Sequence, residues 1–242
     1  MVMQSVIEEK SSRVLEVVVS SVRPFELMMG KIFGVASVAV VQVLIWAVLV
    51  CGAGAAVMPH VLPDGAMEAA AALQQGGGAA TAAAGDFDPE TLGAIALATD
   101  VGYLAMLFGY LLLFVVGGYL LYSAMFAAVG SAVDNAQDAA QLQTPIMIPI
   151  ILAVIVEMSV LNDPNSPLAF WFSLIPFTSP VVMMARIPYG IPTWEIVLSL
   201  VLLYAAFVGM VWLSAKIYRV GIFMYGKKPT LREMFRWIRY KY

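Results

Sequence analysis

The stretch "IFGVASVAVVQVLIWAVLVCGAGAAVM", which runs from Ile32 to Met58, decides the class of this protein. It contains no charged residue, and its single amide side chain is that of Gln42. An α-helix needs roughly 20 apolar residues to cross the hydrocarbon core of a bilayer. The stretch exceeds that length, so we interpret it as a transmembrane helix.

The composition of the 242 residues agrees with this interpretation, because 62% are hydrophobic and only 12% are charged. An average soluble domain is about 25% charged. The single cysteine, Cys51, lies inside an apolar run and cannot form an intrachain disulfide. We predict an all-α polytopic membrane protein whose transmembrane domain, residues 32–218, contains four transmembrane helices at about residues 32–58, 101–130, 144–161 and 196–217.

Lys and Arg are distributed unevenly among the segments that connect these helices. Residues 1–31 hold four of them and the tail from Lys216 onward holds eight, whereas the loops 59–100 and 131–143 hold none. Cytoplasmic loops carry an excess of Lys and Arg. We therefore predict a multi-pass protein of a bacterial-type inner (plasma) membrane, with both termini cytoplasmic.

The outer loop, residues 59–100, contains an Ala/Gly/Gln-rich tract of low complexity. Its centre has the composition of a flexible spacer. After the tract, Asp88 and Pro89 have the order of an N-cap and a first helical residue, which predicts that a helix begins there.

The connection between the third and fourth spans holds six prolines in residues 164–192. Its apolar stretches, 168–175 and 181–185, are too short to cross a bilayer. Ser179 and Pro180 have the order of an N-cap and a first helical position. We predict a short outer re-entrant segment of two helices, the alternative being a compact outer loop lying on the membrane.

Few residues indicate chemistry. "GIFMYGKK", residues 221–228, lacks the Ser or Thr and the preceding strand that a phosphate-binding loop requires. The chain has one histidine and neither a metal-binding pattern nor a catalytic triad. We therefore predict a protein that is not an enzyme, binds no metal or cofactor itself and has no nucleic-acid partner.

Glu157 is the one acid inside a predicted span, and a carboxylate at that depth is a functional hypothesis by default. Its alternative role is structural, because it lies near the outer end of the span. Gln42 is a weaker candidate for the same transport path. Close helix contacts are predicted at the glycines of the spans and of the membrane entrance, namely Gly30, Gly34, Gly109, Gly117 and Gly118.

The opening segment, residues 1–31, predicts a cytoplasmic amphipathic helix followed by membrane entry. Ser5 and Glu8 have the spacing of a capping box, and Pro24 ends the helix. Its apolar stripe either rests on the membrane domain, which leaves the charged face for a soluble partner, or lies in the membrane plane as an anchor. The candidate partner-binding residues are Glu8, Glu9, Arg13 and Glu16, of which Glu9–Arg13 and Arg13–Glu16 have ion-pair spacing.

The cytoplasmic tail, residues 219–242, includes the basic amphipathic stretch "PTLREMFRWIRYKY". A helix of this kind lies along an anionic inner leaflet, so membrane lipids are a predicted partner. The alternative is a basic flank that only sets the orientation.

Three blocks resemble a known family. "EEKSSRVLEVVVSSVRPFELMMGKIFG" (residues 8–34) looks like the cytoplasmic segment between the second and third spans of ABC type-2 exporter permeases, particularly the sodium-export (NatB-like) branch. "PFTSPVVMMARIP" (176–188) and "KIYRVGIFMYGKKPTLREMFRWIRY" (216–240) resemble the family's re-entrant segment and its tail. Family members have six spans, so this chain looks like a C-terminal four-span part.

The resemblance implies a permease subunit that moves substrate out of the cytoplasm as a dimer with a second permease copy. A separate cytoplasmic ABC ATPase subunit would bind ATP and Mg, and residues 1–31 would hold the coupling helix that docks on it. The alternative function is a non-transporting membrane anchor or assembly factor that recruits a cytoplasmic partner. An ion-gradient-driven transporter would require more intramembrane charge and an internal repeat.

Overall fold

The computed structural model describes residues 2–11, 24–62, 65–74, 88–133 and 136–221. Within these residues the chain is helical and contains no β-strand, which confirms the all-α class. The elements in chain order are α1 (Val2–Ser11), α2 (Pro24–Val61), α3 (Ala66–Gln74), α4 (Pro89–Thr99), α5 (Val101–Ala132), α6 (Ala136–Val160), α7 (Pro167–Leu174), α8 (Ser179–Arg186), a 3-10 turn (Ile187–Tyr189) and α9 (Thr193–Gly221).

Among the described residues, four helices are long and apolar enough to cross a membrane, as predicted. The third of these helices begins earlier than residue 144, the start that was predicted from the sequence. Pro145 and Pro149 lie inside α6 and do not mark its beginning, which agrees with the tolerance of transmembrane helices for proline. The four candidate spans are Met29–Met58, Val101–Ala132, Gln137–Val160 and Thr193–Ile217.

The chain divides into two compact units, residues 1–40 with 113–242 and residues 41–112. Within the second unit, α3 and α4 pack through small side chains, with Ala66 and Ala70 against Ile95 and Ala96. The Nε2 group of Gln74 donates hydrogen bonds to the carbonyl of Ala96 and to Thr99 Oγ1, which ties the end of α3 to α4.

Helix α3 corrects the sequence-based prediction, which placed no helix in this part of the outer loop. Its sequence, AMEAAAALQ, is dominated by alanine, the residue with the highest helix propensity. The low-complexity tract is therefore helical up to Gln74, and the predicted spacer at its centre lies outside the described residues. Helix α4 begins at Pro89 after the N-cap residue Asp88, as predicted.

In the unit of residues 1–40 and 113–242, α5 contacts α9 and the first turn of α8 at very short distance. A methyl group on Gly117 would lie 2.7 Å from Leu203, and one on Gly118 would lie 2.8 Å from the ring of Pro180. The hydroxyl of Ser214 donates to the carbonyl of Ala124 at 2.6 Å. Hydrogen bonds of this kind join helices where no water can substitute.

The close contacts predicted at Gly117 and Gly118 are confirmed. At Gly30, Gly34 and Gly109, no described atom apart from the adjacent residues and the backbone of the same helix lies within 4 Å of the position that a Cβ atom would take. These three glycines therefore do not mark helix contacts within the described structure.

The proline-rich connection contains two short helices, α7 and α8, as predicted. Ser166 is the N-cap of α7, and its side chain accepts a hydrogen bond from the backbone N–H of Ala169. Helix α8 begins one position earlier than expected, because Thr178 and not Ser179 is its N-cap residue. The prolines at the helix starts supply a fixed φ where a backbone N–H is not needed.

Candidate functional site

Helix α1 packs one face on the ends of α5 and α6. Val6 and Ile7 are buried, and Ile7 belongs to a cluster with Val133 and Ala139. At Gly130 of α5, a methyl group would lie 2.9 Å from the carbonyl oxygen of Met3, so the two backbones are in direct contact. The opening helix is thus seated on the membrane domain through apolar side chains and one glycine.

Of the four predicted partner-binding residues, Glu8 lies at the surface of α1 with an exposed side chain. The side chain of Glu9 and both Arg13 and Glu16 lie outside the described residues, so the predicted ion pairs are not tested. The predicted capping box is wrong, because α1 already begins at Val2 and Ser5 is inside the helix.

A buried charged cluster joins the proline-rich connection to the start of α9. Arg186 is 2% exposed, and its Nε group donates a hydrogen bond to the carbonyl of Pro164 at 2.8 Å. Its Nη1 group donates to Ser173 Oγ at 2.7 Å and lies 2.9 Å from Oε2 of Glu195. Ser199 Oγ donates to the carbonyl of Ser173 at 2.7 Å, which adds a second link to α9.

The carboxylate of Glu195 is held in this cluster by charge. Its Oε2 atom is within ion-pair distance of Arg186 but has no hydrogen-bond partner among the described residues, because the two groups are not aligned for one. The Coulomb attraction depends on the distance and not on that alignment, so we treat the contact as an ion pair. A buried carboxylate left with so few partners depends strongly on the neighbouring cation.

This cluster was not predicted from the sequence. The signal was present: Arg186 and Glu195 are the only charged residues between Asp163 and Lys216, and they have opposite signs. Two opposite charges in a long apolar stretch are expected to pair, since an unpaired charge is costly away from water.

A cavity of about 420 Å³, which we call the aromatic cavity, lies in the unit of residues 1–40 and 113–242. Helix α5 supplies half of its lining residues, and α1, α2 and α6 supply the others. None of the described residues that line it is charged. Its aromatic and polar lining residues are Tyr119, Tyr122, Phe126, Ser123, Gln4 and Gln143.

The position of Tyr122 in the aromatic cavity is fixed by a hydrogen bond. Its hydroxyl donates to the carbonyl of Phe177 at 2.6 Å, in the turn before α8. The signal that was available in the sequence is the spacing of Tyr119, Tyr122, Ser123 and Phe126, which places all four on one face of a helix.

The two residues predicted for a transport path do not line this cavity. Gln42 is exposed on α2 and Glu157 is half-buried on α6. They belong to different compact units. Their role in a transport path stays a prediction.

Comparisons with known proteins give the family. The sequence model of the family described as "ABC-2 family transporter protein" matches residues 1–216. The chain is 27% identical over 235 residues to the uncharacterized protein YhaP of Bacillus subtilis, covering 97% of this chain and 49% of that protein. It is 27% identical over 237 residues to the uncharacterized protein MJ1024 of Methanocaldococcus jannaschii, covering 97% and 48% respectively.

No solved structure matches the chain. The chain spans about half the length of the curated relatives it matches. The family match covers all four candidate spans nearly to the end of α9. The chain therefore belongs to the ABC-2 family of transporter proteins and forms part of a membrane domain of that family.

Proposed function

We propose that this chain is part of the permease of an ATP-driven ABC exporter, which moves substrate out of the cytoplasm with energy from a separate ATPase subunit. The observation that carries the proposal is the packing of α1 on the membrane domain. Ile7 and Met3 hold the helix on the ends of α5 and α6, while Glu8 lies at the surface. A helix held in this way transmits a displacement to the spans that it touches.

The same proposal names the partners. A cytoplasmic ABC ATPase carries ATP and Mg and docks on the charged face of the opening segment, and a second permease copy completes the pathway. The NatB-like, sodium-export branch is the proposed branch, on the resemblance of residues 8–34, 176–188 and 216–240. Membrane lipids contact the apolar surface of the spans, such as Trp46 and Val48 of α2, which are more than half exposed.

We also propose that both termini face the cytoplasm of a bacterial-type inner membrane. This orientation follows from the Lys and Arg in residues 1–31 and from Lys216 onward, and from their absence in residues 59–100. The proline-rich connection then lies on the outer side, and its two short helices are the proposed re-entrant segment.

Cysteine labelling tests the orientation. In a Cys51→Ala background, we expect a cysteine at Asn165 to react with an impermeant maleimide in intact cells. A cysteine at Glu8 should react only after the cells are permeabilised, because both positions are exposed in the structure and differ only in the side of the membrane. Labelling of the cysteine at position 8 in intact cells would show the opposite orientation, in which the proposed docking surface does not face the cytoplasm.

Reversal of one charge tests the docking of the ATPase. Within the opening segment, Arg13→Glu reverses one charge in the two predicted pairs, Glu9–Arg13 and Arg13–Glu16, at a cost of about 0.2–0.5 kcal/mol each, so membrane insertion should be retained. Against a complementary partner surface, a reversed charge costs several kcal/mol. We expect the tagged wild-type chain to co-purify with an ABC ATPase from native membranes. The amount of ATPase recovered with the variant should be at least about tenfold lower.

The matched control is Glu68→Lys, which reverses an exposed charge on α3 and should leave co-purification unchanged. Equal recovery of the ATPase with wild type and Arg13→Glu would contradict the proposed docking surface. Recovery of a different cytoplasmic protein, with no ABC ATPase, would favour the membrane anchor or assembly factor.

A further inference from the structure

We infer that the aromatic cavity binds an organic monocation with bulky apolar substituents. The inference rests on the proposed function only in that the bound cation would be cargo of the permease. A volume of about 420 Å³ lies in the range of small-molecule sites, which are typically about 300–1,000 Å³ and mostly aromatic or apolar with a few polar groups.

The three aromatic rings favour a cation. Tyr119, Tyr122 and Phe126 line the same cavity from successive turns of α5. The face of an aromatic ring is electrostatically negative and attracts a cation, most strongly where water is excluded. The hydrogen bond from Tyr122 to Phe177 holds one ring in place before a ligand arrives, which lowers the cost of ordering on binding.

The polar lining of the cavity suits a single, diffuse positive charge. The oxygen atoms of Gln4, Gln143 and Ser123 can accept hydrogen bonds or orient their dipoles toward a cation. A wholly apolar molecule would bury these polar groups without a partner, which costs free energy.

Other charge classes fit less well. An anion would find no Lys, Arg or His among the described residues of the lining. A divalent metal ion prefers carboxylate, imidazole or thiolate ligands, and the described residues contain no group of three or more such side chains. A monocation whose charge is spread over a large apolar body has the least need of a carboxylate.

The probe is tetraphenylphosphonium, with tetraphenylborate as an anion of the same shape. The 242-residue chain is reconstituted in phosphatidylcholine nanodiscs, and binding is measured by equilibrium dialysis with empty discs as the blank. We expect saturable binding of tetraphenylphosphonium that excess unlabelled probe displaces, and no saturable binding of tetraphenylborate. No ATPase is present in this measurement.

Two substitutions remove an aromatic face and leave an apolar side chain in its place. Tyr119→Leu and Phe126→Leu should each weaken the binding of tetraphenylphosphonium by about twofold to thirtyfold, as expected for one cation–aromatic contact. The control is Tyr110→Leu, which removes a tyrosine from the same helix outside the cavity lining and should bind as wild type.

A variant that binds the probe more tightly distinguishes an effect at the cavity from an effect of misfolding. Gln143→Glu places a negative charge in the cavity at nearly constant size, so it should tighten the binding of tetraphenylphosphonium severalfold. Absence of saturable binding, equal binding of tetraphenylborate, or wild-type affinity in both leucine variants would overturn the inference. Such a result would leave ATPase co-purification untouched, and loss of co-purification would leave the binding result standing.

Discussion

Replacement of Arg186 by leucine is expected to lower the free energy of unfolding by about 3–5 kcal/mol, the usual cost of removing one partner from a buried ion pair. The leucine fills part of the space but leaves the carboxylate of Glu195 buried beside it without its cation. Ser173 and the carbonyl of Pro164 lose their donor in the same step. Unfolding in mixed micelles, followed by tryptophan fluorescence during titration with SDS, measures the change.

Two further variants identify the cause. The double variant Arg186→Leu with Glu195→Leu should be much less destabilised than the sum of the two single variants, because no charge then stays buried unpaired. Arg186→Lys should remain destabilised, because an ammonium group does not reproduce the fork that reaches Pro164 and Ser173 together. Additive effects of the two leucine substitutions would contradict the ion pair.

The control for a general effect of losing a basic residue is Lys216→Leu. Lys216 is half-buried and its Nζ atom lies 3.9 Å from the centre of the Trp212 ring. A cation–aromatic contact at an accessible site contributes about 0.5–1 kcal/mol. The difference in the loss of free energy of unfolding between Arg186→Leu and Lys216→Leu therefore reports the burial of Arg186.

The spans could be predicted from the sequence because length and apolarity alone define them. The third span was predicted although Pro145 and Pro149 lie inside α6, but its predicted start at about residue 144 was too late. The two short helices of the proline-rich connection were also predictable, because prolines such as Pro167 and Pro180 stand at their first turns. In both cases the deciding information is local to the segment.

The buried charged cluster and the aromatic cavity depend on residues that are distant in sequence. Arg186 reaches back to Pro164 and forward to Glu195, and only the fold brings these groups together. The cavity combines α5 with Gln4 of α1 and Gln143 of α6. A hydropathy pattern shows that Tyr119 and Tyr122 share a helix face, but it does not show what lies opposite that face.

The second large effect is expected at Gly118, where α5 meets the first turn of α8. In Gly118→Ala, the added methyl group would lie 2.8 Å and 2.9 Å from two carbon atoms of the Pro180 ring. A proline ring cannot rotate away, so the helices must separate. Overpacking of this kind costs about 1–3 kcal/mol. The hydrogen bond from Tyr122 to Phe177 should weaken with it, because it spans the same contact.

Two alanine substitutions on the same helix provide a graded control for Gly118→Ala. Gly109→Ala meets no described atom within 4 Å, so the higher helix propensity of alanine should leave stability unchanged or raised by up to about 1 kcal/mol. Gly117→Ala should fall between them, because the atom nearest to its methyl group is the flexible end of Leu203. Unfolding measured under the same conditions should therefore rank Gly109→Ala, Gly117→Ala and Gly118→Ala in order of decreasing stability. Equal stability of all three variants would show that α5 does not approach Pro180 as closely as the structure has it. The expected order would instead show that the rigidity of the neighbour, and not the loss of a glycine, sets the cost.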